Sequence, residues 1–171
     1  MPDAPPLIVT AALDEGAFAW FDDLRQAHFP RYRNQVPAHV TLFHALPGQH
    51  EREIVGTLRA ACQIRRPLAI DVRGPWSLGR GVAYRLASPD LEALRSALAD
   101  AFGPWLTRQD QAPYRPHITV QNKVEPDDAR TLLEQLQQTF EPFDILAEGL
   151  LLWRYLGGPW ALVDRFDFDK A

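Results

Sequence analysis

The chain has 171 residues, 46% of them hydrophobic and 23% charged, with a formal net charge of -4. This is ordinary globular usage, which excludes a disordered or disulfide-stapled chain, and the acidic balance excludes wide electrostatic binding along a long nucleic acid. No run approaches about 20 uninterrupted apolar residues, so no membrane span is expected.

Leu7-Ile8-Val9-Thr10-Ala11-Ala12-Leu13 reads as a short buried strand. Residues 15 to 28 follow as a helix, with Ala17, Trp20, Phe21, Leu24 and Ala27 at inward spacing. Phe29 to Ala38, with two Pro, is a loop. The next strand runs from His39 to about Leu46 and ends at Pro47-Gly48. A helix is expected from about His50 to Gln63, then a strand at Leu68-Ala69-Ile70-Asp71-Val72.

The second half repeats this order. Gly81 to Ala87 is a strand, and Ser88-Pro89 supplies an N-cap and a first-turn Pro for a helix with Leu91, Leu94, Leu98 and Phe102 inward. A loop carrying Pro113, Tyr114, Arg115 and Pro116 leads into a strand from His117. Pro126 opens a helix with Ala129, Leu132, Leu133, Leu136 and Phe140 on one side. A hairpin closes the chain, Ile145 to Leu156 and Pro159 to Phe168 around Gly157-Gly158. The expected class is α+β: one domain over residues 1–171 made of two pseudo-symmetric lobes, approximate repeats 7–73 and 81–168. Its mostly antiparallel sheets face a central groove, with helices outside.

Cys62 lies on a helical apolar stripe and reads as a buried, inert thiol. A lone Cys excludes an internal disulfide and a multi-thiolate metal site, and there is no HExxH helix or carboxylate cluster, so neither metal nor other cofactor is expected. Sixteen of the eighteen basic residues are Arg, read as genome composition rather than phosphate recognition. The acidic, Pro-rich start is unlike a signal peptide, and a cytoplasmic, monomeric protein is expected.

The chemistry concentrates in a repeated tetrapeptide, His39-Val40-Thr41-Leu42 and His117-Ile118-Thr119-Val120. With seven Thr in the chain, the five His should produce about 0.2 His-x-Thr pairs by chance, and here there are two with matching apolar flanks. In a strand, His and Thr two apart share one face and the apolar pair takes the other. Two such strands on one groove would bring together two imidazoles and two hydroxyls, the equipment for acid–base work on a phosphate ester.

Strand parity extends this face. Phe43 falls on the side of His39 and Thr41, either to stack on a base or to fill the core. Gln121 and Lys123 fall on the side of His117 and Thr119 if that strand continues. Tyr114 and Arg115, on the preceding loop, are candidates for phosphate or ribose contact. Tyr84, Trp153 and Tyr155 are weaker candidates for the groove rim. His44 has the opposite parity from His39 and, with His28 and His50, reads as structural or solvent-facing.

Paired His-x-Thr-x motifs in a duplicated α+β frame of this size resemble the 2H phosphoesterase superfamily, which includes 2′-5′ RNA ligases and 2′,3′-cyclic phosphodiesterases. The resemblance implies a two-lobed groove with His39 and His117 as acid and base and Thr41 and Thr119 on the phosphate. His117 would activate water and His39 would protonate the leaving ribose oxygen. It implies hydrolysis of 2′,3′-cyclic phosphates of nucleotides or RNA ends to 2′-phosphates, with reverse 2′-5′ joining. A nucleotide- or RNA-binding module with little turnover is the alternative. One departure is plain: members often carry Arg or Lys two residues past the second Thr, where this chain has Gln121.

Overall fold

A computed structural model describes residues 3–170. Their order is β1 (Leu7–Leu13), α1 (Glu15–His28), β2 (Thr41–Leu46), α2 (Glu51–Gln63), β3 (Leu68–Ser77), β4 (Val82–Ala87), α3 (Pro89–Phe102), α4 (Arg108–Gln111), β5 (His117–Gln121), α5 (Pro126–Thr139), β6 (Phe143–Tyr155) and β7 (Trp160–Asp167). Short 3₁₀ turns lie at Arg31–Arg33, Gly48–His50 and Gly103–Trp105.

Helix α1 starts where the Asp14 carboxylate accepts from the Ala17 amide at 2.9 Å, satisfying one of the first-turn donors. Its buried side chains are Ala17, Phe21 and Arg25. Trp20 and Ala27, expected inward, are exposed, because the stripe runs through Arg25 instead and leaves them at its margins. Trp20 still packs edge-on against Phe21 and Tyr84. Ser88 caps α3, its hydroxyl accepting from Leu91 N and donating to Ala69 O, and Leu91, Leu94, Leu98 and Phe102 are buried as the spacing requires. The short α4 interrupts what the sequence presents as loop; Thr107 caps it by accepting from Asp110 N.

The strands pair antiparallel throughout, in the order β2-β1-β6-β3-β4-β5, with β7 also on β6. Where two sheets were expected, the pairing is continuous, because β6 is long enough to serve both halves. Its first part, Phe143 to Ala147, pairs with β3; its second, from Gly149, pairs with β1 on one edge and β7 on the other. The two halves of the chain therefore exchange strands: β3 lies beside β4, and β6 and β7 lie with β1. The fully buried residues include Leu7, Val9, Ile54, Leu58, Ile70, Leu150 and Leu152, drawn from both halves into one cluster. Cys62 is buried within it, and desolvation raises its thiol pKa to about 11. No helix of the described residues is long and apolar enough to cross a membrane.

Candidate active site: two His-Thr strands on one groove

Both motifs obey the alternation expected of them. Val40, Leu42, Ile118 and Val120 are buried, while His39, Thr41, His117 and Thr119 are half-open. The four half-open residues line one cavity of about 170 Å³, together with His44, Tyr114 and Arg115. A larger cavity, about 550 Å³ between α1 and α5, contains none of them.

The two imidazoles are held alike. His39 Nδ1 lies 2.8 Å from Pro37 O, and His117 Nδ1 lies 2.8 Å from Arg115 O. A carbonyl only accepts, so Nδ1–H donates in each ring and Nε2 is the nitrogen left for chemistry. The same i to i-2 contact in each half follows from the motif, since a strand residue preceded by an extended Pro-Ala or Arg-Pro pair brings that carbonyl under its ring.

Immediately past each Thr the strand bulges. Thr10 opposes Thr41 but Val9 opposes Phe43, which leaves Leu42 as the extra residue; Ala83 opposes Thr119 but Val82 opposes Gln121, which leaves Val120 as the extra one. A bulge reverses side-chain parity beyond it. Phe43, expected on the groove face or in the core, is therefore fully buried, edge-on to Phe102. Gln121, expected beside Thr119, is also buried, and its Oε1 has no partner. Lys123 does not continue the face, because the strand ends at Gln121 and Lys123 takes a positive φ of 63° in a turn. His44, read from parity as lying away from His39, instead lines the groove. Its Nδ1 contacts the Asp110 carboxylate at 2.9 Å, and that carboxylate also accepts from the His44 and Ala45 amides.

Two buried arginines clamp the motif strands from across the molecule. Arg25 of α1 donates from Nη1 to Thr119 O at 3.0 Å, and from Nε to Asn34 Oδ1 and Val36 O. Arg95 of α3 donates from Nε to Leu42 O at 3.1 Å and from Nη2 to Asp110 O, with its guanidinium over the Phe43 ring. Each half thus fixes the motif backbone of the other. The Tyr114 hydroxyl donates to Thr41 O at 2.9 Å, so it holds the strand while its ring lines the groove; burial pushes its pKa up. Arg115 is exposed at the rim.

Among the groove's imidazoles the electrostatics single out His39. Desolvation by the surrounding protein lowers the His39 pKa most, the Pro37 carbonyl opposes, and the charges of Arg25, His117 and His44 lower it further, to about 4. His39 is therefore neutral near pH 7 although its ring is half-open to the groove. Beside it lies Trp160, with ring centroids 4.7 Å apart, and beyond that Trp153, whose indole donates to Thr10 Oγ1. Among the described residues no group of three or more His, Cys, Asp or Glu is placed to hold a metal ion.

The Arg clamps, Asp110 and Trp160 carry no local signal, since each acts on a residue far along the chain. His44 was visible as a titratable residue, but its orientation depends on a bulge that strand periodicity does not encode. Tyr84 is buried and Tyr155 exposed, Trp153 alone of the rim candidates lying in a cavity that His39 also lines.

Comparison with known proteins supports the same frame. No curated protein sequence matches the chain. TT0787 of Thermus thermophilus has a similar structure at a TM-score of 0.69 and 17% identity, over 96% of this chain and 98% of that one. LigT of E. coli, complexed with 3′-AMP, is similar at a TM-score of 0.63 and 17% identity, over 98% of this chain and all of that one. A structure described as a phosphoesterase is similar at a TM-score of 0.59 and 20% identity, over 98% and 100%. The model of the 2′-5′ RNA ligase superfamily matches residues 13–159, and with both His-Thr strands on one groove of this fold, the chain belongs to that superfamily.

Proposed function

We propose that the protein is a metal-independent phosphodiesterase that opens 2′,3′-cyclic phosphates of nucleotides or RNA ends to 2′-phosphates. The observation that carries this reading is the pair of Nδ1-anchored imidazoles, His39 and His117, lining one small cavity with two threonine hydroxyls. Opening the ring forms a bond from water oxygen to phosphorus and breaks the bond from phosphorus to the ribose O3′. One Nε2 takes the water proton and the other gives a proton to O3′. Thr41 and Thr119 donate to the non-bridging oxygens, whose charge grows in the transition state.

A base must begin neutral and an acid protonated. The depressed basicity of His39 keeps it neutral and favours it as the base, which leaves the acid's place to His117, the reverse of the order that the family resemblance implied. With a ribose 5′-hydroxyl in place of water the same base and acid keep their roles: a bond from O5′ to phosphorus forms, the bond from phosphorus to O3′ breaks, and the ends are joined through a 2′-5′ linkage. With Arg95 committed to backbone carbonyls, Arg115 at the rim is the candidate for the cation expected two residues past the second Thr.

Incubation with cytidine 2′,3′-cyclic phosphate in EDTA should yield the 2′-phosphate. His39→Ala and His117→Ala should each lower kcat by at least about 100-fold. No hydrolysis by the wild type, or loss of activity on chelation, overturns the metal-free reading. A substrate with sulfur at the leaving position needs no proton on departure, so it should rescue His117→Ala selectively; rescue of His39→Ala instead reverses the assigned order. A second reading, a nucleotide-binding module of the same fold, is favoured by the absence of a groove cation at Gln121 and Lys123. It predicts micromolar binding without turnover.

A further inference from the structure

We propose that His44, held by Asp110, forms a second phosphate subsite in the groove, so that the preferred substrate is a cyclic phosphate carrying a further phosphate on its 5′ side. The inference rests on the phosphodiesterase reading above and names the substrate class for it. Asp110 is fully buried, and its carboxylate is spent on two backbone amides and on His44 Nδ1. Burial acts to raise its pKa, but the hydrogen bonds from His44 and Ala45 outweigh this and hold it below the usual carboxylate value. The carboxylate accepts from Nδ1–H, which leaves Nε2 as the ring nitrogen for the groove, and in the doubly protonated ring Nε2–H donates to a phosphate oxygen. The His44 side chain is 43% exposed, and the ring lines the cavity that holds His39, Thr41, His117 and Thr119.

The cavity is lined by more nitrogen-bearing side chains than one phosphodiester needs. Three imidazoles and two guanidiniums line it against one carboxylate, and that carboxylate is already satisfied. Arg95 is committed to the carbonyls of Leu42 and Asp110, and its role is to position β2. His44 is different, because its outward nitrogen has no structural duty. Its distance from the reacting centre follows from the strand. With Leu42 as the extra residue of one bulge and a second irregularity between Phe43 and Leu46, Thr41 and His44 both line the groove, three residues and roughly 7–10 Å apart along the strand. This matches the step from one phosphorus to the next along a nucleotide strand. A phosphate held between Thr41 and the two catalytic imidazoles therefore places its 5′ neighbour at His44.

The test compares three substrates: cytidine 2′,3′-cyclic phosphate, the same compound bearing a 5′-phosphate, and a dinucleotide ending in a 2′,3′-cyclic phosphate. For the wild type, kcat/KM should be at least about tenfold higher with the second phosphate present. In His44→Ala and His44→Asn this ratio should fall to near one, with the fold verified by circular dichroism. Preference for the 5′-phosphorylated mononucleotide over the dinucleotide assigns a free nucleotide as the source of that phosphate; the opposite preference assigns an RNA end. A wild-type ratio near one, or a ratio unchanged in both variants, overturns the subsite. Affinity for cytidine 2′,5′-bisphosphate against cytidine 2′-phosphate, measured by calorimetry, tests it without turnover. A tenfold difference abolished by His44→Ala supports the subsite even where no cyclic phosphate is hydrolysed, and that result would overturn the phosphodiesterase reading alone.

Discussion

At the scale of single residues, the groove depends on where protons sit. The Nδ1–H bonds to Pro37 O and Arg115 O set both tautomers, and these carbonyls come from the residues that precede each motif. His39 has a folded pKa of about 4 against roughly 6.5 for an unfolded chain. Below pH 6.5 the unfolded chain binds the proton first, so this residue's contribution to stability is complete above pH 6.5 and is lost as pH falls toward 4. The loss is bounded at about 3 kcal/mol, because the ring is still partly wet. Urea unfolding at pH 7 and pH 4.5 should show a smaller difference for His39→Gln than for the wild type; equal differences would contradict the neutral His39. The parity of His39, Thr41, His117 and Thr119 was legible in the sequence, because two-residue alternation needs only a strand. The placement of Phe43, His44, Gln121 and Lys123 was not, because one extra residue reverses the alternation and no local pattern announces it.

At the scale of elements, most helices follow from spacing and caps: Asp14 for α1, Ser88-Pro89 for α3 and Pro126 for α5. The exception within α1 is instructive. Arg25 occupies a buried position that an apolar stripe would reserve for a hydrophobe, and it is tolerated because its guanidinium is satisfied by Asn34, Val36 and Thr119 and lies over the Phe29 ring. Burial lowers its pKa, with Asp22 opposing, to about 10, so it is charged at neutral pH. Arg25→Ala leaves the Val36 and Thr119 carbonyls without this donor and opens a cavity, which should cost about 2–4 kcal/mol by urea denaturation. A cost below about 0.5 kcal/mol would remove the clamp from the account. If the clamp also sets the geometry of Thr119, kcat should fall in Arg25→Ala more than KM rises.

At the scale of the molecule, the exchange of strands makes the halves interdependent. Residues 7–73 lack the strand between β1 and β3, since that place belongs to β6 from the far end of the chain. A fragment of residues 1–79 should therefore remain unfolded by circular dichroism and amide dispersion, and the whole chain should lose tryptophan fluorescence and far-ultraviolet signal in one coincident transition. A folded fragment would show that the halves are separable. Close packing at this junction is visible at Gly149, where an added Cβ would collide with the Phe166 carbonyl oxygen, so Gly149→Ala should displace β7. By itself the sequence determined the α+β class, the order of the main strands and helices, and the two His-Thr pairs with the family they resemble, because periodicity, caps and short motifs act within a few residues. Only the tertiary structure decided that one strand joins both halves, that buried arginines hold each motif from the opposite half, and that His44 rather than Phe43 faces the groove. These depend on contacts between residues 50 to 150 positions apart and on bulges set by the partner strand, and such terms enter the free energy only once the chain has closed on itself.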